Sequence, residues 1–247
     1  MTAMTIQIYR AHLTLMESVY FASREVGILY ESEPLIGNYA LTYALGFCAS
    51  PYDWSGPPRY QQDLGPLNAR GIYVTPATFL PGMLRYTFSQ FNAQSDSYYS
   101  RFDQNAIATE RDKKARAANF PQAGKLRMLG AESLATFYVI TREEECPFLP
   151  SYIRLGKFMS KARVEWQPLP LVSQQPEAAD KDIGFMLNAA DLSPALVSTL
   201  RAFSIYNIHP APLLSHCRLS GLFWQARDAD GASVYLPADM SYGVVDL

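Results

Sequence analysis

The sequence predicts an α+β protein with a largely antiparallel sheet. Three observations carry this. Strand-like runs outnumber helical ones, and the two helical patterns, at about 34–45 and 193–203, lie far apart with several strands between them. Strands and helices also fail to alternate in the βαβα manner that builds a parallel sheet.

Met4–Leu15 reads as the first strand, with Ile6 and Ile8 opening it and Leu13 and Leu15 closing it. The alternation shifts phase midway, which predicts a bulge or a strand buried on both faces. A loop through Phe21–Gly27 leads to a helix over about Pro34–Leu45. Pro34 suits its first turn, Gly46 suits the position past its end, and Leu35, Tyr39 and Tyr43 share a face. Ser50–Pro58 is turn-rich and reads as a surface loop carrying Trp54. Gly71–Phe79 and Leu84–Phe91 read as an antiparallel hairpin closed by Leu80-Pro81-Gly82.

The stretch at about 92–124 is polar, with aromatic residues at Tyr98, Tyr99 and Phe102 and a charged run over Glu110–Arg116. A structureless stretch this long inside a compact domain is usually functional or disordered. Ser133–Thr141 is a core strand, and Ser151–Pro168 gives two strands around Leu155-Gly156-Lys157. Residues at about 170–184 are polar and read as a surface loop. The second helix has Ser193 as cap, Pro194 at its first position, and Leu196, Val197, Leu200 and Phe203 at helical spacing. Strands at Ser204–Ile208, Leu219–Ala226 and Ala232–Leu236 follow, the last two joined through Asp228-Ala229-Asp230-Gly231. Strand–helix–strand–strand–helix–strand is the ferredoxin-like or RRM-like plan, a common scaffold for RNA binding.

The 247 residues are 49% hydrophobic and 18% charged, which is enough to bury a sizeable core and argues against disorder. The longest apolar stretches, Tyr39–Ala49 and Leu134–Ile140, fall well short of the roughly 20 residues a bilayer span needs, so no membrane role is expected. No secretory signal is visible. Cys48, Cys146 and Cys217 are odd in number and widely spaced, which fits a reducing cytoplasm better than a disulfide framework. Charge is uneven. Residues 101–163 hold 12 of the 21 Lys and Arg but 7 of the 23 Asp and Glu, within a chain of net charge −2. A basic middle on an acidic chain suits a polyanion at one face, although a solvated surface gives the same pattern.

Phosphate-loop, dinucleotide, zinc-protease and serine-hydrolase motifs are absent from the sequence. His209, His216 and Cys217 lack an evident fourth ligand for a metal, and the Asp228–Gly231 turn lacks the other ligand positions of a calcium loop. No cofactor, metal or catalytic residue is expected.

Five segments, in order, resemble the Cas-five-type (Csc-one) subunit family of type I-D CRISPR effector complexes. The first is FASREVGILYESE (Phe21–Glu33) with NYALTYALG (Asn38–Gly46). The second is PRYQQDL (Pro58–Leu64) with GIYVTPA (Gly71–Ala77). The third is Asn119–Pro121 with GKLR (Gly124–Arg127), and the fourth is YIRLGKFMSK (Tyr152–Lys161). Leu187 and Asn188, with Asp191 and Leu192, make the fifth. Phe158 stands where a Trp is more typical of that family. The charged insert 106–118 and the tail after about residue 222 have no counterpart we can place.

The resemblance implies one RAMP-type domain over 1–247 with an RRM-like core, a protruding thumb-like hairpin or loop at about 92–124, and extra C-terminal strands. It implies a non-catalytic subunit that caps the 5′ handle of the CRISPR RNA. Its implied partners are a Cas-seven-type backbone subunit and a Cas-ten-like large subunit, with target double-stranded DNA near the PAM as a further contact. The alternative is a metal-independent endoribonuclease that processes the precursor CRISPR RNA, as some Cas-five relatives do.

Gripping a single-stranded handle needs cations for phosphates, aromatics for bases and amides for base edges. Arg154, Lys157 and Lys161 flank Gly156, where the backbone can approach a phosphate closely, and resemble the Gly-containing basic loop of the superfamily. Lys125 and Arg127 after Gly124 have the same chemistry. Arg24, beside Glu25, reaches a phosphate or pairs internally. Tyr30 and Tyr43 stack on bases or serve the core. Asn38 reads a base edge or caps the first helix. Limited proteolysis of the free protein is expected to cut first within 92–124, and assembly with RNA and partners to protect it. A free chain that resists cleavage there contradicts a partner-ordered insertion.

Overall fold

The chain folds around strands, with few helices. The computed structural model describes residues 6–26, 29–52, 58–92 and 123–243. The aromatic and charged residues expected in the thumb (Tyr98, Tyr99, Phe102 and Glu110–Arg116) lie outside these residues, as does Trp54.

The first sheet is built on β1 (Gln7–Leu15), flanked by β9 (Leu134–Thr141) and β11 (Ser160–Leu169). Ile8 pairs with Ile140 on one side and Leu169 on the other, and both registers run unbroken along the strand. The phase shift in β1 therefore marks burial on both faces rather than a bulge: Ile8 is buried on one, and Ala11, Leu13 and Leu15 on the other. β10 (Tyr152–Leu155) pairs with β11 at one edge. β5 (Tyr73–Val74) and β6 (Ala77–Phe79) pair with β9 at the other, and β4 (Leu35–Ile36) pairs with β6. Every pairing in this sheet is antiparallel.

α1 (Asn38–Ala44) packs against β5, β10 and α2 (Tyr60–Arg70). Pro34 and Leu35 precede α1 rather than begin it, because Leu35 and Ile36 are drawn into the sheet edge. The sequence carries no helical signal for α2, since Gly65-Pro66 in its middle reads as a turn. Burial of Leu64 and Leu67 outweighs that local preference.

Two expectations fail here. Gly71–Phe79 and Leu84–Phe91 do not form a hairpin. After the Leu80–Met83 turn, β7 (Tyr86–Asn92) pairs instead with β8 (Ala123–Leu129) in a second sheet. Its other strands are β2 (Arg24–Val26) and β3 (Leu29–Glu31), the order is β2-β3-β8-β7, and β3 runs parallel to β8. The stretch at about 170–184 also contains a strand, β12 (Glu177–Ile183). It looked like a loop because only Ile183 is buried; one long neighbour, β15 (Leu213–Arg227), supplies its ladder.

β15 organises the third sheet, pairing also with β13 (Leu187–Asn188), β14 (Ala202–Tyr206) and β16 (Ser233–Pro237). The second expected helix, α3 (Pro194–Thr199), packs here, on β15, and not across the first sheet. Ser193 caps it as expected, its Oγ accepting from the Leu196 N–H at 3.3 Å. It stops before Phe203, which β14 takes up. A single buried cluster runs from Leu13 and Phe137 in the first sheet to Leu219, Phe223 and Trp224 in the third.

A polar clasp crosses that core. Asp191 is 1% exposed and follows β13 in a short 3-10 turn. Its carboxylate accepts from Asn38 Nδ2 (2.6 Å), Tyr73 OH (2.9 Å), Tyr39 OH (3.0 Å) and the Gly243 N–H (2.9 Å). Asn188 Nδ2 donates to Asn38 Oδ1 at 2.9 Å. The buried Tyr242 hydroxyl accepts from the Val74 N–H at 3.1 Å and lies 2.8 Å from Thr42 Oγ1. A Cβ at Gly243 would lie 1.7 Å from the Ala190 carbonyl oxygen, so only glycine fits there.

No cation contacts Asp191 among the described residues. Burial raises its pKa to about 6, and the four donors only partly offset that. The folded state therefore keeps this proton to about pH 6, whereas an unfolded Asp loses it near 3.8. Between those values the folded state binds more protons, so the contribution of Asp191 is fullest below pH 4 and declines as pH rises through 6. The decline amounts to about 3 kcal/mol at full ionisation. In urea unfolding, the stability difference between parent and Asp191→Asn should shrink in favour of the variant from pH 4 to 7. Asp191→Ala, which removes the acceptor of all four donors, three of them on buried side chains, should cost at least about 2 kcal/mol at any pH. A parent-minus-Asn difference that does not change with pH contradicts the buried, uncompensated carboxylate.

Candidate nucleic-acid interface

The second sheet has two unlike faces. Paired residues across its ladders share a side, which places Arg24, Glu31, Arg127 and Phe88 in one row and Val26, Leu29, Lys125 and Gln90 in the next. Tyr86 lies beside Arg127 on this same face, its ring 4.7 Å from the guanidinium. Phe88 is 67% exposed, and Arg24, Lys125 and Val26 are also exposed. Arg127 is held twice, by Glu31 at 3.2 Å and by the Tyr86 ring, while its buried Nε has no hydrogen-bond partner among the described residues. Three cations beside exposed aromatic rings can meet phosphates and bases together.

The opposite face is closed. Leu126 and Met128 pack on Tyr20, with Ala22 and Tyr30 against them. Tyr20 is fully buried and serves as a pivot. Its carbonyl accepts from the Lys157 N–H at 2.9 Å, and its ring stacks on Phe158 at 5.5 Å. The turn between β10 and β11 is thereby docked under the second sheet. Gly156 makes this approach possible: its φ is +71°, and a Cβ there would lie 2.5 Å from the Tyr20 carbonyl oxygen.

Around that turn lies a second basic and aromatic surface. Arg154 and Lys161 are register partners on β10 and β11, and Tyr152 pairs with Arg163 on the same side. Lys161 Nζ sits 4.4 Å from the Tyr152 ring centre. Met16, Tyr152, Phe158 and Met159 are all exposed. Acidic groups temper the charge. Glu17 lies 3.8 Å from Arg154 and accepts from the Lys161 N–H at 2.6 Å, and Glu165 pairs with Arg163 at 3.3 Å.

Arg24, Lys125 and Arg127 thus gather on one surface, and Arg154, Gly156, Lys157 and Lys161 on another. Three expected site residues fall elsewhere. Asn38 is 1% exposed and neither reads a base nor caps α1, because both ends of its amide are engaged in the Asp191 clasp and Gly37 holds the cap position. Tyr43 donates to Asp63 Oδ2 at 2.7 Å and packs edge-on against Tyr52; burial, then Asp63, pushes its phenol well above the ordinary range. Tyr30 is half-buried in the Tyr20 cluster. Sequence reasoning missed Tyr86 and Phe88. The strand was legible, but its aromatic parity looks like the core side, and only the register against β8 shows that Leu126 and Met128 fill that role.

Among the described residues no three His, Cys, Asp or Glu side chains cluster as metal ligands, and no helix is long and apolar enough to cross a membrane. Burial raises the Cys217 thiol to about 11.

The fold and surfaces define a mostly antiparallel α+β protein with two exposed basic, aromatic faces. More particularly, the chain belongs to the type I-D CRISPR-associated protein Cas5/Csc1 family, which it matches over residues 6–245. The match includes the tail after residue 222 that the sequence alone left unplaced. No curated protein matches in sequence. A chain in the cryo-EM structure of the Type III-B Cmr-beta bound to cognate target RNA and AMPPnP is similar over 85% of this chain and 86% of its own. It shares 10% identity with a TM-score of 0.43, too loose a likeness to bear on function.

Gly156→Ala should destabilise the protein by about 1–3 kcal/mol, through both its φ and the clash with Tyr20. Gly82→Ala has a similar φ of +72° but meets nothing within 4 Å, and should cost less. Equal losses in the two variants, measured by urea unfolding, contradict a docked turn.

Proposed function

We propose that this protein is a non-catalytic subunit of a type I-D CRISPR effector that holds the 5′ handle of the guide RNA. Membership of the Cas5/Csc1 family over nearly the whole chain carries this reading. The two faces flanking Tyr20 supply the chemistry it needs: cations for phosphates, and exposed rings at Tyr86, Phe88, Tyr152 and Phe158 for unstacked bases. The strand order β11-β1-β9-β5/β6 supports an RRM-like reading of the first sheet, with an irregular segment at 142–151 in place of the second crossover helix. A Cas-seven-type backbone subunit and a Cas-ten-like large subunit are the protein partners in this proposal, with target double-stranded DNA near its PAM as a further contact.

Ribonuclease chemistry has no place in this reading. Metal-free RNA cleavage needs a base at the 2′-hydroxyl, an acid at the leaving oxygen and a cation for the developing charge. The histidines are dispersed: His12 on β1 beside Gln167, His209 between β14 and β15, and His216 on β15. A labelled repeat RNA from the chain's own locus, incubated with the protein in EDTA, should stay intact. Specific cleavage that is abolished when one of these histidines is replaced puts the processing-nuclease reading first.

Replacing Arg154, Lys157 and Lys161 together with Ala should weaken single-stranded RNA binding whatever the sequence. It should also flatten the salt dependence, by about 0.7 in the log–log slope for each phosphate that is no longer neutralised. Parental affinity and slope in the triple variant contradict the assignment of this surface.

A further inference from the structure

A cavity of about 340 Å³ opens where the first and third sheets meet, at the small end of ligand-binding cavities. Phe79, Leu80, Phe185, Met186 and Tyr206 give it apolar walls. Its polar groups are few and grouped. The Thr78 hydroxyl oxygen accepts from the Met186 N–H at 2.8 Å and keeps its own hydrogen to donate, and Ser215 Oγ lies 3.1 Å from His216 Nδ1. His216 is exposed, with a φ of 54° that side chains other than glycine seldom adopt. It stands where the β14–β15 register shifts, between the pairs Ser204–Ser215 and Ala202–Arg218. Such an irregularity re-aims a side chain, here at the cavity rim.

The cavity lies next to the start of β7, whose Tyr86 belongs to the basic face of the second sheet. Leu84 lines it and leads two residues later to Tyr86, which stacks on Arg127. Tyr206 of the cavity wall lies close enough to Tyr86 to act on its ionisation, as do Glu33 and Glu31. Arg24, Lys125 and Arg127 outnumber these two carboxylates, so the surface beside the cavity suits an anionic chain carrying flat apolar groups.

We infer that this cavity takes one unstacked nucleobase of a single-stranded nucleic acid whose phosphates run over the Arg24–Lys125–Arg127 face. The inference rests on the RNA-binding reading above and adds a base site to it. Aromatic walls hold the base plane, and Thr78, Ser215 and His216 meet its edge. An apolar anchor from a partner protein is the competing occupant; the adjoining cations favour the nucleic acid.

Gly184 provides the test. It lines the cavity, and an added Cβ there meets nothing within 4 Å, so Gly184→Leu, designed to crowd the cavity, starts without a backbone clash. Full-length protein is titrated with repeat-derived RNA oligonucleotides carrying one 2-aminopurine at successive positions. The parent should show a change in emission confined to one position. Gly184→Leu should abolish it and weaken binding about 10-fold, with an unchanged salt slope, as the removal of one stacked base requires. Gly184→Ala should resemble the parent. His216→Gly, which relieves the backbone, should fold and lose part of the signal, and so serves if Gly184→Leu does not fold. No position-specific change in emission, or parental affinity in Gly184→Leu while Lys125→Ala still weakens binding, overturns the base site and leaves the RNA-binding reading standing. Loss of a protein partner with RNA binding intact in Gly184→Leu assigns the cavity to that partner and overturns the inference. A parent that binds none of the oligonucleotides overturns both readings.

Discussion

A buried carboxylate with no counter-cation among the described residues holds this molecule's first and third sheets in register. Asp191 draws donors from α1, from β5 and from the chain near residue 243, while its own turn sits between β13 and α3. The net energy of such a group is small or unfavourable when ionised, because burial costs more than neutral donors return. What it supplies is uniqueness. Each donor would be orphaned in any other docking of the third sheet, and a buried orphan is expensive. Arg10 and Asp228, 3.4 Å apart, tie the same two sheets at a second point. The cavity at their junction exists because this docking is fixed.

The surfaces follow from a second, smaller constraint, the burial of Tyr20. Its side chain closes the inner face of the second sheet, and its carbonyl anchors the β10–β11 turn. Cations from segments about 100 residues apart in the sequence, such as Arg24 and Lys125, therefore reach the same exposed side of the sheet. The geometry explains why a basic middle on an acidic chain need not be a random surface. Part of that basic stretch is assembled by sheet register into one face.

The strands with strong alternation were legible in the sequence. Ser133–Thr141, the hairpin around Gly156 and the capped start of α3 were all visible there, because local pattern and tertiary burial agree at those places. α2 was not, since Gly65-Pro66 speaks against a helix that the burial of Tyr60, Leu64 and Leu67 justifies. β12 was not, because its ladder comes from β15 and its side chains remain in water. The site divides in the same way. Cations around glycines could be seen, and the structure groups them. Asn38, Tyr39, Asn188 and Asp191 belong to segments that carry the family resemblance, yet they meet inside the protein. A motif polar enough to suggest RNA turned out to be the clasp, and only burial distinguishes the two.

Where RNA touches the protein is the most direct test of its proposed role. Ultraviolet cross-linking of the full-length protein to single-stranded repeat RNA, read by mass spectrometry of cross-linked peptides, measures this. Adducts are expected on β7 at Tyr86 or Phe88 and on the β10–β11 hairpin at Tyr152 or Phe158. Adducts confined to the charged outer strand β12 or the acidic Glu143–Glu145 segment, with none on those rings, would contradict that role.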